Sequence, residues 1–123
     1  MTIKVGPTAF SRGGVLKFGY YQPDPADRVL RLAAWVEDAN GEREYTATVN
    51  TDGTPPGDGF VFLKGWSEND GVPEALERAG AVELLEDFAR CGYELAPKAR
   101  LTPAAIDELT RQNPKRPPLG ATL

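Results

Sequence analysis

The first clear pattern in the chain is an alternation of apolar and polar positions over residues 15–21. A period of two predicts a strand, with Leu16, Phe18 and Tyr20 on its buried face. A shorter strand is predicted over residues 2–5, before a Gly-Pro pair that ends it. Aromatic side chains are favoured in strands, so we interpret these aromatic residues as core rather than as a ligand-stacking site.

The next two strands are predicted to form a hairpin over residues 28–50. The dipeptide Asn40-Gly41 favours a two-residue turn, which pairs residues whose numbers sum to 81. This register aligns three apolar pairs on one face and an ion pair at the rim: Val36 with Tyr45, Ala34 with Ala47, Leu32 with Val49, and Asp38 with Arg43. Glu37 opposite Glu44 is the one unfavourable pair, and a basic group of a partner would fit there.

An almost continuous apolar run at residues 60–63 predicts a strand that is buried on both faces and central in the sheet. A polar corner leads from this strand into a short helix. Proline is tolerated only in the first helical turn, so Pro73 makes Asn69 or Asp70 the expected N-cap. Gly80 stands where a glycine usually ends a helix.

Two further strands are predicted over residues 81–85 and 93–101, around a bend at residues 86–92. Pro97 suits an edge strand better than a central one, because proline donates no backbone hydrogen bond. The segment 81–91 also fits a helix with its apolar residues in one stripe. Periodicity alone does not decide between the two interpretations.

The last predicted element is a helix that Thr102 caps and that a proline at residue 103 begins. The order of elements predicts a single α+β domain over residues 1–113. We expect an antiparallel sheet of about five or six strands with two short helices packed against it. Residues 114–123 have no hydrophobic period and are expected to form a flexible C-terminal tail.

Charge and composition exclude several classes of function. Lysine and arginine number 14 and aspartate and glutamate 18 in the 123 residues, which argues against direct nucleic-acid binding. The absence of histidine excludes Ser-His and Cys-His nucleophile pairs. A single cysteine forms no internal disulfide, and no segment resembles a leader or a membrane span, so we expect a cytoplasmic location and no membrane partner.

No motif predicts a cofactor or a metal. The glycine-rich stretch at residues 51–59 lacks the spacings of phosphate-binding loops, so we interpret it as a connection. Glu68 and Asp70 do not belong to a calcium loop, which would have carboxylates spaced through twelve residues and a glutamate at its end. A carboxylate-based hydrolase remains a rival interpretation, with these two residues acting together with Asp52 or Asp58.

The segment GFVFLKGWSENDGVPEALERAG, and more loosely GYELAPKARLT, resembles small uncharacterised proteins of phages, plasmids and other bacterial mobile elements. The shared pattern is a strand ending in Leu-Lys, an aromatic residue, Ser-Glu-Asn, and a short helix ending in Ala-Gly. The resemblance carries no established catalytic residue. It implies a protein that works by binding, for instance as an inhibitor of a host defence system such as an anti-CRISPR protein.

We therefore expect a non-enzymatic protein-binding module, and the partner is expected to be a protein. The candidate surface has two parts, the corner (Trp66, Ser67, Glu68, Asn69, Asp70) and the acidic rim (Glu37, Glu42, Glu44). In the simpler interpretation, the corner is only a helix cap and the rim only a solvated edge. A structural or accessory component of a phage particle is a further alternative, and it predicts a stable homo-oligomer, whereas the binding module leaves the oligomeric state open.

Overall fold

The structure, a computed structural model, describes residues 1–22, 31–51, 53 and 55–115. These residues form two α-helices and seven strands in two antiparallel sheets, which confirms the α+β class. The first sheet has the order β1-β2-β3-β4 and the second the order β5-β7-β6. In chain order the elements are β1 (Lys4–Val5), β2 (Gly14–Tyr20), β3 (Leu32–Glu37), β4 (Arg43–Thr46), β5 (Phe60–Phe62), α1 (Val72–Arg78), β6 (Val82–Cys91), β7 (Glu94–Leu101) and α2 (Pro103–Gln112).

The β3–β4 hairpin keeps the predicted register away from its turn. Two paired positions have the expected sum: Val36 with Tyr45, and Trp35 with Thr46. Next to the turn the prediction is wrong, because Glu37 lies opposite Arg43 instead of Glu44. The unfavourable pair of glutamates therefore does not form.

The turn itself explains this difference. The amide of Gly41 donates to the carbonyl of Asp38 at 3.0 Å, and the amide of Asp38 donates to the carbonyl of Glu42 at 2.8 Å. Gly41 has a φ of 79°, but Asn40 does not have a positive φ, so the loop has three residues rather than two. Glu44 is then the extra residue on β4 that restores the predicted register further along the hairpin.

Residues 82–91 form strand β6, which decides between the two interpretations of this segment in favour of the strand. The expected bend at residues 86–92 is wrong. Strand β6 continues through it and accommodates extra residues by a register shift between Leu84 and Phe88. The chain reverses only at Gly92, whose φ is 62°.

The edge-strand prediction for Pro97 is also wrong, because β7 is the central strand of its sheet. The carbonyl of Pro97 accepts a hydrogen bond from the amide of Leu63 at 2.9 Å, just past the end of β5. In a strand, the carbonyl and the nitrogen of one residue point to the same side. The nitrogen of Pro97, which carries no hydrogen, therefore faces the residues just past the end of β5. Regular pairing has already ended there, so the sheet tolerates the proline.

Strand β5 lies where the two sheets meet. The prediction of a central strand is wrong, because β5 is an edge strand of the second sheet. The residues after it pair with the continuation of β4 through a bridge between Thr48 and Leu63. The amide of Lys64 donates to the carbonyl of Ala47 at 2.9 Å. Residues 61–63 are buried, as expected for the apolar run. One core cluster draws on both sheets and both helices.

The helices begin differently from each other. Thr102 caps α2 as predicted, and its Oγ1 accepts from the amide of Ala105 at 3.2 Å. The predicted cap of α1 is wrong, because Gly71, with a φ of 85°, takes that position. Gly80 ends α1 as expected, also with a positive φ. None of the described helices is long and apolar enough to cross a membrane.

The domain limits of the sequence analysis stay a prediction. The expected tail, residues 114–123, lies outside the described residues from residue 116 onward.

Candidate functional site

The corner is a single turn of 3-10 helix, Ser67–Asn69, between β5 and α1. The amide of Asn69 donates to the carbonyl of Trp66 at 3.0 Å and closes the turn. Ser67 has a φ of 55°, and among the described residues it is the one non-glycine with a positive φ. A left-handed conformation costs an ordinary residue about 1–2 kcal/mol, so the corner holds local backbone strain.

Asn69 anchors the corner instead of capping a helix. Its side chain is buried, and Nδ2 donates to the carbonyl of Thr46 in β4 at 2.7 Å. This bond holds the Asn69 side chain against β4, and Gly71 takes the N-cap position of α1. Asn69 therefore belongs to the support of the corner and not to its exposed surface.

The other members of the corner face solvent to different degrees. Ser67, Glu68 and Asp70 are exposed, and Trp66 is half-buried. The ammonium group of Lys64 donates to Oε1 of Glu68, four residues along the chain. This hydrogen bond is the largest of the effects that lower the pKa of Glu68 below its usual value.

Glu44 of the acidic rim is engaged with the loop before β2. Its Oε1 accepts from Oγ of Ser11 at 2.8 Å and from the amide of Arg12 at 3.2 Å. The Ser11 hydroxyl oxygen in turn accepts from the amide of Gly13 at 3.0 Å. Glu44 thus orders this loop, and it is not a free acid at the rim. Glu42 is exposed and keeps the role of a candidate contact.

Glu37 supports an aromatic side chain that the sequence analysis did not nominate. Its Oε2 accepts from Nε1 of Trp35 at 2.7 Å. The guanidinium of Arg43 lies 4.4 Å from the centroid of the Trp35 ring, a cation–π contact. A Cβ atom on Gly19, in the neighbouring strand, would lie only 3.1 Å from Cη2 of the indole. We call Trp35, Glu37, Arg43 and Thr46 the Trp35 face.

Thr46 connects the Trp35 face with the corner. Its Oγ1 accepts from Nη1 of Arg43 at 3.2 Å, and its carbonyl accepts from the corner through Asn69. Thr46 therefore belongs to the Trp35 face through its side chain and contacts the corner through its backbone carbonyl. The register had already placed Trp35 opposite Thr46. The predicted register had put Arg43 opposite Asp38 on the other face of the hairpin. Its contact with Trp35 follows from the extra residue Glu44, which sequence reasoning did not foresee.

Three of the four carboxylates of the hydrolase interpretation lie in the described part of the chain. Oε1 of Glu68 is bound to Lys64, Asp58 is exposed in the turn before β5, and Asp52 lies outside the described residues. A shallow depression near β5 has no carboxylate among those of its lining residues that the structure describes. No group of three or more histidine, cysteine, aspartate or glutamate side chains among the described residues is arranged to hold a metal ion.

The most perturbed acid lies elsewhere, on α2. Glu108 is 1% exposed, and its pKa is lowered to about 2, chiefly by hydrogen bonds from Arg111. The Nε atom of Arg111 donates to Oε1 of Glu108 at 2.7 Å, and Nε2 of Gln112 donates to Oε2 at 2.7 Å. Gln112 also accepts from the amide of Phe18 in β2 at 2.7 Å. This network joins a helix to a sheet, so we interpret it as structural.

Comparison with models of protein families, with curated proteins and with solved structures gives no match. The resemblance to mobile-element proteins stays an expectation from the sequence.

Proposed function

We propose that this chain is a non-enzymatic protein-binding module whose partner contacts the Trp35 face and the adjoining corner. The observation that carries the proposal is the presentation of Trp35, half-buried on a sheet face between Gly19 and the guanidinium of Arg43. Tryptophan and arginine are the residue types most enriched among side chains that dominate binding energy.

The contacts around the indole favour binding because they fix its position in advance. Glu37 holds the ring nitrogen, Arg43 covers one part of the ring, and the absence of a side chain at Gly19 lets the ring lie close to β2. A side chain that is already ordered loses less conformational entropy when a partner arrives. The strained Ser67, close by in the corner, supports the same proposal, since such strain concentrates at functional sites.

The partner of this surface is a protein with an acidic or aromatic group that meets Arg43, and with a basic group that meets Glu42. Both residues are exposed. A more specific role in a mobile element, as an inhibitor of a host defence complex such as an anti-CRISPR protein, rests on the sequence resemblance and remains part of the proposal. A cytoplasmic location belongs to it as well.

The test begins with affinity capture by the wild-type chain from a bacterial lysate that contains defence complexes. The affinity of the captured protein is then measured by titration calorimetry. We expect Trp35→Ala and Arg43→Ala each to weaken binding at least about fivefold, because truncation of a central anchor costs more than about 1 kcal/mol. Glu42→Lys tests whether the charge of the rim contributes to binding, and it leaves the contacts of Trp35 in place.

The matched control is Arg78→Ala, an exposed arginine at the end of α1. This variant is expected to bind like the wild-type chain. Thermal unfolding of every variant shows whether the fold is intact. A partner that binds Trp35→Ala as tightly as the wild type would contradict the proposed surface.

A further inference from the structure

The end of the β6–β7 hairpin carries large apolar side chains in solvent. Phe88 is 58% exposed, Leu95 59%, and Tyr93, in the turn, is fully exposed. Scattered apolar residues on a surface are ordinary, but three on one hairpin are a candidate interface. We call Phe88, Tyr93 and Leu95 the hairpin patch.

The register shows that two members of the patch share a face of the sheet. Phe88 lies opposite Pro97, and Arg90 lies opposite Leu95. Paired residues point to the same side, and so do alternate residues of one strand. On β7 that side continues to Ala99 and Leu101, which are buried in the core. The apolar face of the hairpin thus extends beyond the core, and its outer part is exposed.

Charges are distributed unevenly along this hairpin. Arg90 lies on the side of Phe88 toward the turn, and Glu86 and Asp87 lie on the other side, in the segment of the register shift. All three side chains are exposed. A two-fold axis through Phe88 would bring Arg90 of one copy opposite Glu86 of the other, beside Asp87, twice in each pair. The surface is therefore complementary to itself, as a two-fold interface requires.

We propose that the hairpin patch binds a second copy of this chain and forms a two-fold homodimer. The apolar side chains supply the centre of the interface, and the charged groups set its antiparallel direction. The register shift interrupts the outer edge of β6, so packing of side chains holds the dimer rather than a long continuous sheet. The proposal does not depend on the proposed function, because the hairpin belongs to the second sheet and the Trp35 face to the first.

The first measurement is the mass of the full chain by light scattering and sedimentation equilibrium, over about a hundredfold range of concentration. We expect the mass to rise from that of a monomer to that of a dimer and no further. The double variant Phe88→Glu, Leu95→Glu is expected to stay monomeric. A wild-type chain that is monomeric throughout, or that forms larger assemblies, would overturn the proposal.

The decisive test uses charge reversal at exposed positions, where the fold tolerates substitution. Variant one carries Arg90→Glu, and variant two carries Glu86→Lys with Asp87→Lys. Each alone places like charges together at the two-fold interface, so each is expected to dimerise at least about tenfold more weakly than the wild type. Mixed in equal amounts, they restore both attractive contacts and are expected to form a heterodimer.

Thermal unfolding of each variant shows that it is folded before its mass is interpreted. Dimerisation of the mixture, with both separate variants monomeric, supports this geometry. Two folded variants that fail to combine, or that dimerise separately like the wild type, overturn it.

Discussion

At the scale of single residues, polar side chains with a known function in local structure were the hardest to place. The sequence SEND at residues 67–70 offers several possible helix caps, and local rules favoured Asn69 or Asp70. Asn69 instead donates to Thr46, 23 positions earlier in the chain. A local rule does not contain such a partner, because the position of β4 next to the corner depends on the whole fold.

Ser67 provides a prediction at this scale. Ser67→Gly should raise the free energy of unfolding by about 0.5–1 kcal/mol, since glycine adopts a positive φ without steric cost, although it gains more entropy when unfolded. Denaturant unfolding of both proteins measures the difference. The control is Ser67→Ala, which keeps the Cβ atom and should bring no gain. A stability of Ser67→Gly at or below that of the wild type would show that the conformation is not strained.

At the scale of elements, sequence patterns predicted most of the strands and the second helix. Their success depended on dense local signals: alternation in β2, and Thr102 with a following proline for α2. They were less informative for β6, where the apolar residues fit a strand and a helix equally well. Pairing with β7 decides that segment, and pairing is a property of two elements rather than one.

The β3–β4 hairpin shows how a correct register can follow from an incorrect turn. The expected two-residue turn and the observed loop differ by one position, and the extra residue Glu44 compensates for the difference. A bulge of this kind has no fixed residue type, so it cannot be predicted from the sequence. Because Glu44 is the extra residue, it does not lie opposite Glu37. Its carboxylate instead binds Ser11 in the loop before β2, so Glu44 is no longer a free member of the predicted binding rim.

The expected two-residue turn and the observed three-residue loop predict different effects of substitutions at Asn40 and Gly41 on the free energy of unfolding. In the observed loop only Gly41 has a positive φ, so Gly41→Ala should lower the free energy of unfolding by about 1–2 kcal/mol. A Cβ atom there meets no other atom within 4 Å, so the cost is one of backbone conformation alone. Asn40→Ala should cost less than about 0.5 kcal/mol. Denaturant unfolding gives both values, and similar large losses for both variants would indicate the two-residue turn instead.

At the scale of the whole molecule, the two sheets and the two helices share one core, and a few polar contacts connect parts that are distant in the chain. The Glu108 network is the clearest case. Hydrogen bonds run from Arg111 and Gln112 on α2 to Glu108, the Met1 amino group also binds this carboxylate at 3.2 Å, and Gln112 continues to β2.

This network makes the stability of the whole fold depend on pH. The pKa of Glu108 is about 2 in the folded chain, below the ordinary value of 4.5. A lowered pKa stabilises the fold fully above the unfolded value, and that contribution is lost as the pH falls from about 4.5 toward 2. Glu108→Gln should therefore lower the free energy of unfolding at pH 7 by about 1–3 kcal/mol, with a smaller difference at acid pH.

Urea unfolding of both proteins at a series of pH values from neutral to acid measures this difference. The other carboxylates titrate in both proteins, so subtraction isolates Glu108. The matched control is Asp107→Asn, an exposed neighbour on the same helix, which removes one carboxylate without touching the network. Its stability should stay within about 0.5 kcal/mol of the wild type. If Glu108→Gln and the wild type lost stability in parallel as the pH fell, the buried carboxylate would not be the group that couples α2 to the sheet through its charge.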